Sequence, residues 1–312
     1  MKTLSELVIA ANQSCDFQEV AKTKGVRITN RCARVPLCYY CNYLNKPVYV
    51  STVDAIVKQA KDLKNRGAKR ITLVSGWLGY QNEMAIPYLK AIKKEMPDLQ
   101  ISGAFGPLCK QSLKNLKEAG LDQYGCNLEA TPEILLRIKG TNDIPERMET
   151  LNNAREAGLK LSTGFIIGVG ENEEQLMELL NLIKKINPDN VFMSPFEAYP
   201  DTPMENFPTP SLTKILETVA KTRLVLKDKV VGLRIVRRGS FMPIEFLSLL
   251  VFAGVSLVAP LPEITDMSVA GFHKLLKSYI QSPEETEQRL LSNNVDKEEI
   301  RAFREITRSL RL

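Results

Sequence analysis

Residues 157–186 read AGLKLSTGFIIGVGENEEQLMELLNLIKKI. Ala157-Gly158 stops a helical pattern, because glycine just past a last turn takes the left-handed conformation at no steric cost. Lys160–Ile167 follows as a run that predicts a strand. A glycine-rich turn leads into Glu173–Ile186, where Leu176, Leu179, Leu180 and Ile183 recur at three- and four-residue spacing along one helix face. A strand followed at once by an amphipathic helix is the building unit of a parallel sheet.

The unit recurs in both directions along the chain. Further strands are predicted over Val26–Asn30, Arg70–Val74, Gln100–Phe105, Gln123–Leu128, Asn190–Pro195, Val231–Val236 and Val255–Val258. Helical patterns fill Val53–Asn65, Pro107–Ala119 and Leu212–Asp228, and Arg66-Gly67 and Ala119-Gly120 add two more helix stops. Eight strands alternating with helices predict an α/β fold, a closed (β/α)8 TIM-type barrel over residues 25–281, with its site at the C-terminal ends of the strands. An open doubly wound sheet is the alternative. Residues 1–24 read as an N-terminal extension. Ser282-Pro283-Glu284-Glu285 fits an N-cap, Pro at N1 and Glu at N3, so residues 282–312 read as a charged C-terminal helical tail packed outside the barrel.

Composition narrows the class. The 312 residues are 44% hydrophobic and 25% charged, which is ordinary for a globular protein. A net charge of +6 without any basic run interleaved with aromatics predicts no nucleic-acid partner. The first residues show no basic, apolar and cleavage-site sequence of a secretory signal. The longest apolar stretch, Ile244 to Ala259, is interrupted by Glu245 and Ser248 and falls short of a membrane span. A cytoplasmic protein with no membrane association is expected. The single histidine, His273, lies in a helical pattern away from every motif. Most zinc hydrolases and imidazole-based acid–base enzymes need more.

Six cysteines remain: Cys15, Cys32, Cys38, Cys41, Cys109 and Cys126. Three fall in the string Thr29-Asn30-Arg31-Cys32-Ala33-Arg34-Val35-Pro36-Leu37-Cys38-Tyr39-Tyr40-Cys41, directly after the first predicted strand. Clustered cysteines in a chain without an export signal favour a metal site over disulfides. Thiolates are the usual ligands of iron–sulfur clusters. On a four-iron cubane, three local thiolates leave one iron without a protein ligand, and an open metal position is where chemistry happens. A structural zinc site would need a fourth ligand, and neither Cys15, Cys109 nor Cys126 has a paired spacing. Chance clustering of buried cysteines is the third reading. Cys109 and Cys126 read as free structural cysteines.

The C-x5-C-x2-C string resembles the C-x3-C-x2-C signature of the radical S-adenosylmethionine enzymes, with two residues added in the first gap and the aromatic Tyr40 before the last cysteine. The order Asn127-Leu128-Glu129, Arg147-Met148-Glu149-Thr150-Leu151, Ala157-Gly158-Leu159-Lys160 and Gly164-Phe165-Ile166-Ile167-Gly168-Val169-Gly170-Glu171 is similar to the biotin-synthase-like subfamily. Thr202-Pro203 and the string from Val231 to Val258 continue the resemblance, which spans about residues 25–260. The five-residue gap looks like the group that builds the iron–guanylylpyridinol cofactor of [Fe]-hydrogenase. The resemblance implies a [4Fe–4S] cluster on Cys32, Cys38 and Cys41, S-adenosylmethionine as cosubstrate, a small-molecule substrate, and an electron donor such as ferredoxin or flavodoxin.

It also implies roles. Arg147 would take the S-adenosylmethionine carboxylate, as a planar bidentate donor suits it. Asn127 and Glu129 would meet the ribose from one side of the fourth strand's end; the subfamily usually has Asp where this chain has Glu129. Ile166 and Gly168 would lie against the adenine, and Gly76 and Trp77 would offer backbone to the amino group, although the usual acidic residue of that segment is absent. Glu197, Tyr199, Arg234 and Arg237 form a candidate pocket set at later strand ends. Biotin synthase holds a second cluster through three cysteines and an arginine. At the positions that align, this chain has Ser102 and Ser162, while Arg234 matches, so sulfur insertion is not expected. A sister activity of the same subfamily, such as a diiron-hydrogenase maturase or an amino-acid mutase, and a non-enzymatic iron–sulfur scaffold are the rival readings.

Overall fold

A computed structural model describes residues 2–14, 23–42, 46–234, 242–258 and 267–310. Cys15 and Arg237 lie outside the described residues, as do the ends of two expected segments. Eight parallel strands form one sheet in sequence order: β1 (Thr23–Arg27), β2 (Arg70–Val74), β3 (Gln100–Ala104), β4 (Gln123–Gly125), β5 (Lys160–Ile167), β6 (Asn190–Pro195), β7 (Val230–Arg234) and β8 (Ser256–Val258). Helices α2 (Val53–Asn65), α3 (Ile86–Glu95), α4 (Lys110–Glu118), α5 (Pro132–Lys139), α6 (Ile144–Glu156), α7 (Glu173–Ile186), α8 (Leu212–Val225) and α9 (Ile244–Phe252) connect them. Gly67, Gly120 and Gly158 all have positive φ, as the helix stops require.

The α/β (β/α)8 barrel class is as the alternation predicts. The eight-stranded sheet curls in the TIM-like manner, and among the described residues no ladder joins β8 to β1. Closure depends on strand tilt and stagger, which leave no periodic mark in a sequence.

Strand alternation divides the layers. Ile71 and Leu73 on β2, and Val191 and Met193 on β6, are fully buried beneath the helices. Their neighbours Thr72, Val74, Phe192 and Ser194 face the other way and are only partly buried. The inner rows carry many small or polar residues, such as Thr72 beside Ser102, and Gly164 and Gly232 on either side of the larger Phe192. Barrels with a packed interior fill these rows with bulky branched side chains. Here the hydrophobic core sits between sheet and helices.

Terminal helices brace the outside. Helix α1 (Leu4–Gln13), fixed by a capping box at Thr3 and Glu6, packs on α8, and its Asn12 Nδ2 donates to the Phe252 carbonyl at 2.8 Å. Then come α10 (Val269–Gln281), α11 (Pro283–Ser292) and α12 (Lys297–Ser309). Pro283 opens α11 as expected, but the Ser282 side chain makes no capping bond. Phe303 of α12 meets Phe246 of α9 at 5.3 Å between ring centroids, and Glu299 accepts from the Thr213 backbone at the start of α8. No described helix is long and apolar enough to cross a membrane.

Arg223 is the largest fully buried side chain, 1% exposed. Its guanidinium donates to the carbonyls of Lys229, at 2.7 Å, and Gly254, tying α8 to the turns that feed β7 and β8. Arg223→Leu leaves those buried carbonyls without their donor and is expected to lower stability by about 2–4 kcal/mol. Urea denaturation checks this; an unchanged midpoint would refute the role.

Candidate active site

Beyond β1 the chain stays buried through Ile28, Thr29 and Asn30 before it releases Cys32. Asn30 grips a returning segment from both sides: its Nδ2 donates to the Pro47 carbonyl at 2.9 Å, and its Oδ1 accepts from the Tyr49 amide at 3.0 Å. The cysteine loop then crosses the barrel mouth. The Ala33 amide donates to the Trp77 carbonyl at 2.7 Å, and the Tyr39 amide to the Ile138 carbonyl at 2.9 Å. Gly76 lies against the loop so closely that a Cβ there would stand 2.3 Å from the Arg31 oxygen and 2.8 Å from the Cys32 Cβ. Only glycine fits.

Cys32, Cys38 and Cys41 are half-buried on this one loop, at the C-terminal end of the strands. Burial, with Glu129 nearby, pushes the Cys38 thiol up to about 11. Among the described residues no three His, Cys, Asp or Glu side chains converge on one point, as ligands of a single ion would. A cubane assigns each thiolate to its own iron and asks for no such convergence. Three soft donors on a loop cradled by Gly76 fit a four-iron cluster.

A buried ion network lies beside the loop. Glu129 Oε2 accepts from Tyr40 Oη at 2.7 Å and from Lys139 Nζ at 2.8 Å. Arg147 stands 3.3 Å from Glu129 Oε1 and 2.8 Å from Asp143 Oδ2, and it also donates to the Asn127 carbonyl. Asp143 Oδ2 further takes Lys139 at 3.2 Å and Arg34. Lys139 is wholly buried. Burial alone would raise the Glu129 carboxyl; Arg147 and Lys139 outweigh it and hold the group at about 2. Asp143 is held below its ordinary range against the same burial cost, chiefly by its bond to Arg147. Three cations face two carboxylates. The surplus positive charge has the sign that an anionic thiolate-bound cluster or a ligand carboxylate needs.

The structure thus brings Tyr40, Asn127, Glu129 and Arg147 together, but not in the expected geometry. Strand β4 ends at Gly125, and Glu129 turns into the left-handed region at φ 71° instead of continuing the alternation from Asn127. It is pinned there by β5, donating to the Gly164 carbonyl at 3.0 Å and accepting from the Ile166 amide at 2.9 Å. Such a backbone costs about 1–3 kcal/mol and persists only where the surroundings impose it. Arg147 is not a free fork: both terminal nitrogens are engaged, and only its buried Nε lacks a partner.

The other candidates are scattered around the mouth. Trp77 donates from Nε1 to the Pro107 carbonyl at 2.9 Å, meets Tyr80 edge-on at 5.2 Å, and lies under Arg34. Ile166 is half-buried on β5. Gly168 begins a turn whose amide, with that of Val169, donates to the Glu171 carboxylate at 2.8 and 2.9 Å. Past β6, Tyr199 Oη donates to Glu197 Oε2 at 3.0 Å. Arg234 is exposed at the end of β7. Lower in the lumen Ser102 donates to Gln123 Oε1 at 2.8 Å, and Ser162 is buried. Cys126 is buried with its thiol raised to about 11 by desolvation, and His273 meets Phe252 at a tilted angle with 5.7 Å between ring centroids, both as expected of structural residues.

Sequence reasoning missed Arg34, Lys139 and Asp143. Lys139, Asp143 and Arg147 are spaced by four, a faint sign that they share a face. A lysine in the last turn before Gly140 otherwise reads as a solvated complement to the helix dipole.

A cysteine loop at the strand ends, backed by an ion network of surplus positive charge, makes this a βα-barrel protein with a site suited to an iron–sulfur cluster. The Radical SAM superfamily model matches residues 26–183. The chain is 31% identical over 264 residues to an uncharacterised protein of Methanocaldococcus jannaschii, covering 81% of this chain and 69% of that protein. It is 30% identical over 189 residues to a biotin synthase of Desulforudis audaxviator, covering 60% of this chain and 58% of that relative, under two thirds of its length. Its fold is similar to that of methylornithine synthase, with a TM-score of 0.71 at 20% identity over 83% of this chain and 79% of the other. The chain belongs to the radical SAM superfamily, whose members are enzymes that use a [4Fe–4S] cluster and S-adenosylmethionine.

Two outcomes are expected. Gly76→Val displaces the cysteine loop, so iron bound after anaerobic reconstitution falls by about half or more while far-UV circular dichroism is retained; undiminished iron would show that the close approach is not needed. Glu129 has a folded pKa depressed from 4.5 to about 2, so its stabilisation is complete above pH 4.5 and is lost as the pH falls towards 2. Denaturant titrations across that window should show a shallower acid loss in Glu129→Gln than in the native protein, and equal slopes would contradict the depressed value.

Proposed function

We propose that this chain is a radical SAM enzyme in the biosynthesis of the pyridinol part of the iron–guanylylpyridinol cofactor. The observation that carries the finer reading is the five-residue gap between Cys32 and Cys38, together with the loss of thiolates at Ser102 and Ser162. In this lumen Ser102 is committed to Gln123, so the floor offers hydroxyl and amide groups where a sulfur-donating cluster would need cysteines.

Cys32, Cys38 and Cys41 hold the cluster in this reading. When bound, the cluster supplies the electron that splits S-adenosylmethionine into methionine and a 5′-deoxyadenosyl radical, which takes a hydrogen atom from the substrate. The residues around it bind and orient. Arg147, through the surplus charge of its network, attracts the methionyl carboxylate, and Tyr40 fixes Glu129 beside it. Asn127 and Glu129 serve the ribose. Ile166 and the Gly168 turn, held rigid by Glu171, receive the adenine. Gly76 and Trp77 offer backbone to the amino group. Glu197, Tyr199 and Arg234 serve the substrate at the later strand ends, and Arg237, outside the described residues, is the fourth candidate of that set. A small reductant protein such as ferredoxin or flavodoxin supplies the electron.

The test is anaerobic reduction of reconstituted protein with S-adenosylmethionine, followed by chromatography for 5′-deoxyadenosine. The native protein should form it and Cys38→Ala should not. Full iron content without 5′-deoxyadenosine would overturn the reading. The finer assignment predicts that an extract lacking this chain makes no guanylylpyridinol until the protein is added back, and formation without it would remove that assignment alone.

A further inference from the structure

We propose that Arg34 is a positioning residue that holds the cysteine loop in its cluster-binding shape before any iron arrives. The proposal rests on the reading of Cys32, Cys38 and Cys41 as the cluster ligands.

Arg34 lies inside the gap between the first two of those cysteines, yet its side chain is only 11% exposed. It points back from the loop into a box made by two separate parts of the barrel. One guanidinium nitrogen donates to Thr141 Oγ1 at 3.1 Å, and another pairs with Asp143 Oδ2. The guanidinium carbon stands 5.5 Å from the centroid of the Trp77 ring. A planar fork with a stacking face satisfies all three walls at once; a lysine ammonium reaches one. One side chain therefore fastens the loop both to the end of β2, through Trp77, and to the turn between α5 and α6, through Thr141 and Asp143.

The loop needs such a fastener. Residues 31–38 contain no helix or strand, and Val35 at their tip is 89% exposed. Fixing irregular backbone costs entropy at every residue, and ladder bonds that would offset it are missing. The backbone bonds from Ala33 to Trp77 and from Tyr39 to Ile138 hold only the two ends. Pro36 and Tyr39 pack over Gly140, where an added Cβ would stand 3.1 Å from Pro36 Cγ and 2.8 Å from Tyr39 Oη. Arg34 is the one side chain of the gap that reaches across to Asp143 among the described residues.

The anchor survives the loss of the clamp. Asp143 keeps Lys139 and Arg147 when Arg34 is removed, so no buried carboxylate is left uncompensated. An Arg34 variant should therefore fold.

The experiment uses the full-length, iron-free protein and iodoacetamide, with each cysteine followed by peptide mass spectrometry. In Arg34→Gln, Cys32 and Cys38 should react about tenfold faster than in the native protein, as the loop opens more often. Cys109, which caps α4 outside the cysteine loop, should keep its rate, and Arg34→Lys should fall between native and Arg34→Gln. Removing a cation beside a thiol by itself slows its alkylation, so acceleration reports opening. After reconstitution, Arg34→Gln should also release iron to a chelator faster than the native protein. Unchanged rates at Cys32 and Cys38, or an equal rise at Cys109, would overturn the proposal. Faster alkylation in a protein that takes up no iron even in its native form would leave the clamp standing and remove the cluster reading.

Discussion

A carboxylate taken out of water must be matched by positive charge, and Asp143 is matched three times over by Arg34, Lys139 and Arg147. Each of those cations belongs to a different part of the site. Arg34 comes from the cysteine loop, Lys139 from the end of α5, and Arg147 from the first turns of α6. One oxygen thus fixes the metal-binding loop, the strand-end carboxylate Glu129 (through Lys139 and Arg147) and the mouth of the lumen relative to each other. The same network explains how a wholly buried lysine and a left-handed glutamate are tolerated: neither is stable alone, and each is the other's partner.

The radical SAM assignment and this network support each other physically. Homolysis needs a cofactor held still in a place that water does not crowd, with charge arranged in advance. A network that is already paired needs little rearrangement when an anionic group arrives. Arg147 can respond through its spare Nε and the surplus charge around it without abandoning Asp143 or Glu129.

Much of the barrel was legible because pattern and structure share a period. β5 and α7 fall on the bounds expected from residues 160–186, where strand alternation, glycine turn and helical spacing all agree. The cysteine loop was legible from spacing alone. β4 was not: Gln123–Leu128 reads as one strand, yet the ladder stops at Gly125, because Glu129 is drawn aside by Tyr40, Lys139 and Arg147, three residues distant in sequence. Lys139 and Arg34 were invisible for the same reason. A charged side chain is written identically whether it meets water or a buried partner, and only the fold decides which. How β8 meets β1 depends on tilt and stagger rather than on any residue type.

The small inner rows have one more consequence. Because the cohesive layer of this molecule lies between strands and helices, exchanging Thr72, Ser102, Ser162 or Ser194 touches little of the buried apolar area that keeps the shell folded. Durability and selectivity are thereby assigned to opposite faces of the same strands. A lineage built this way can redraw what it accepts inside while its scaffold barely registers the change.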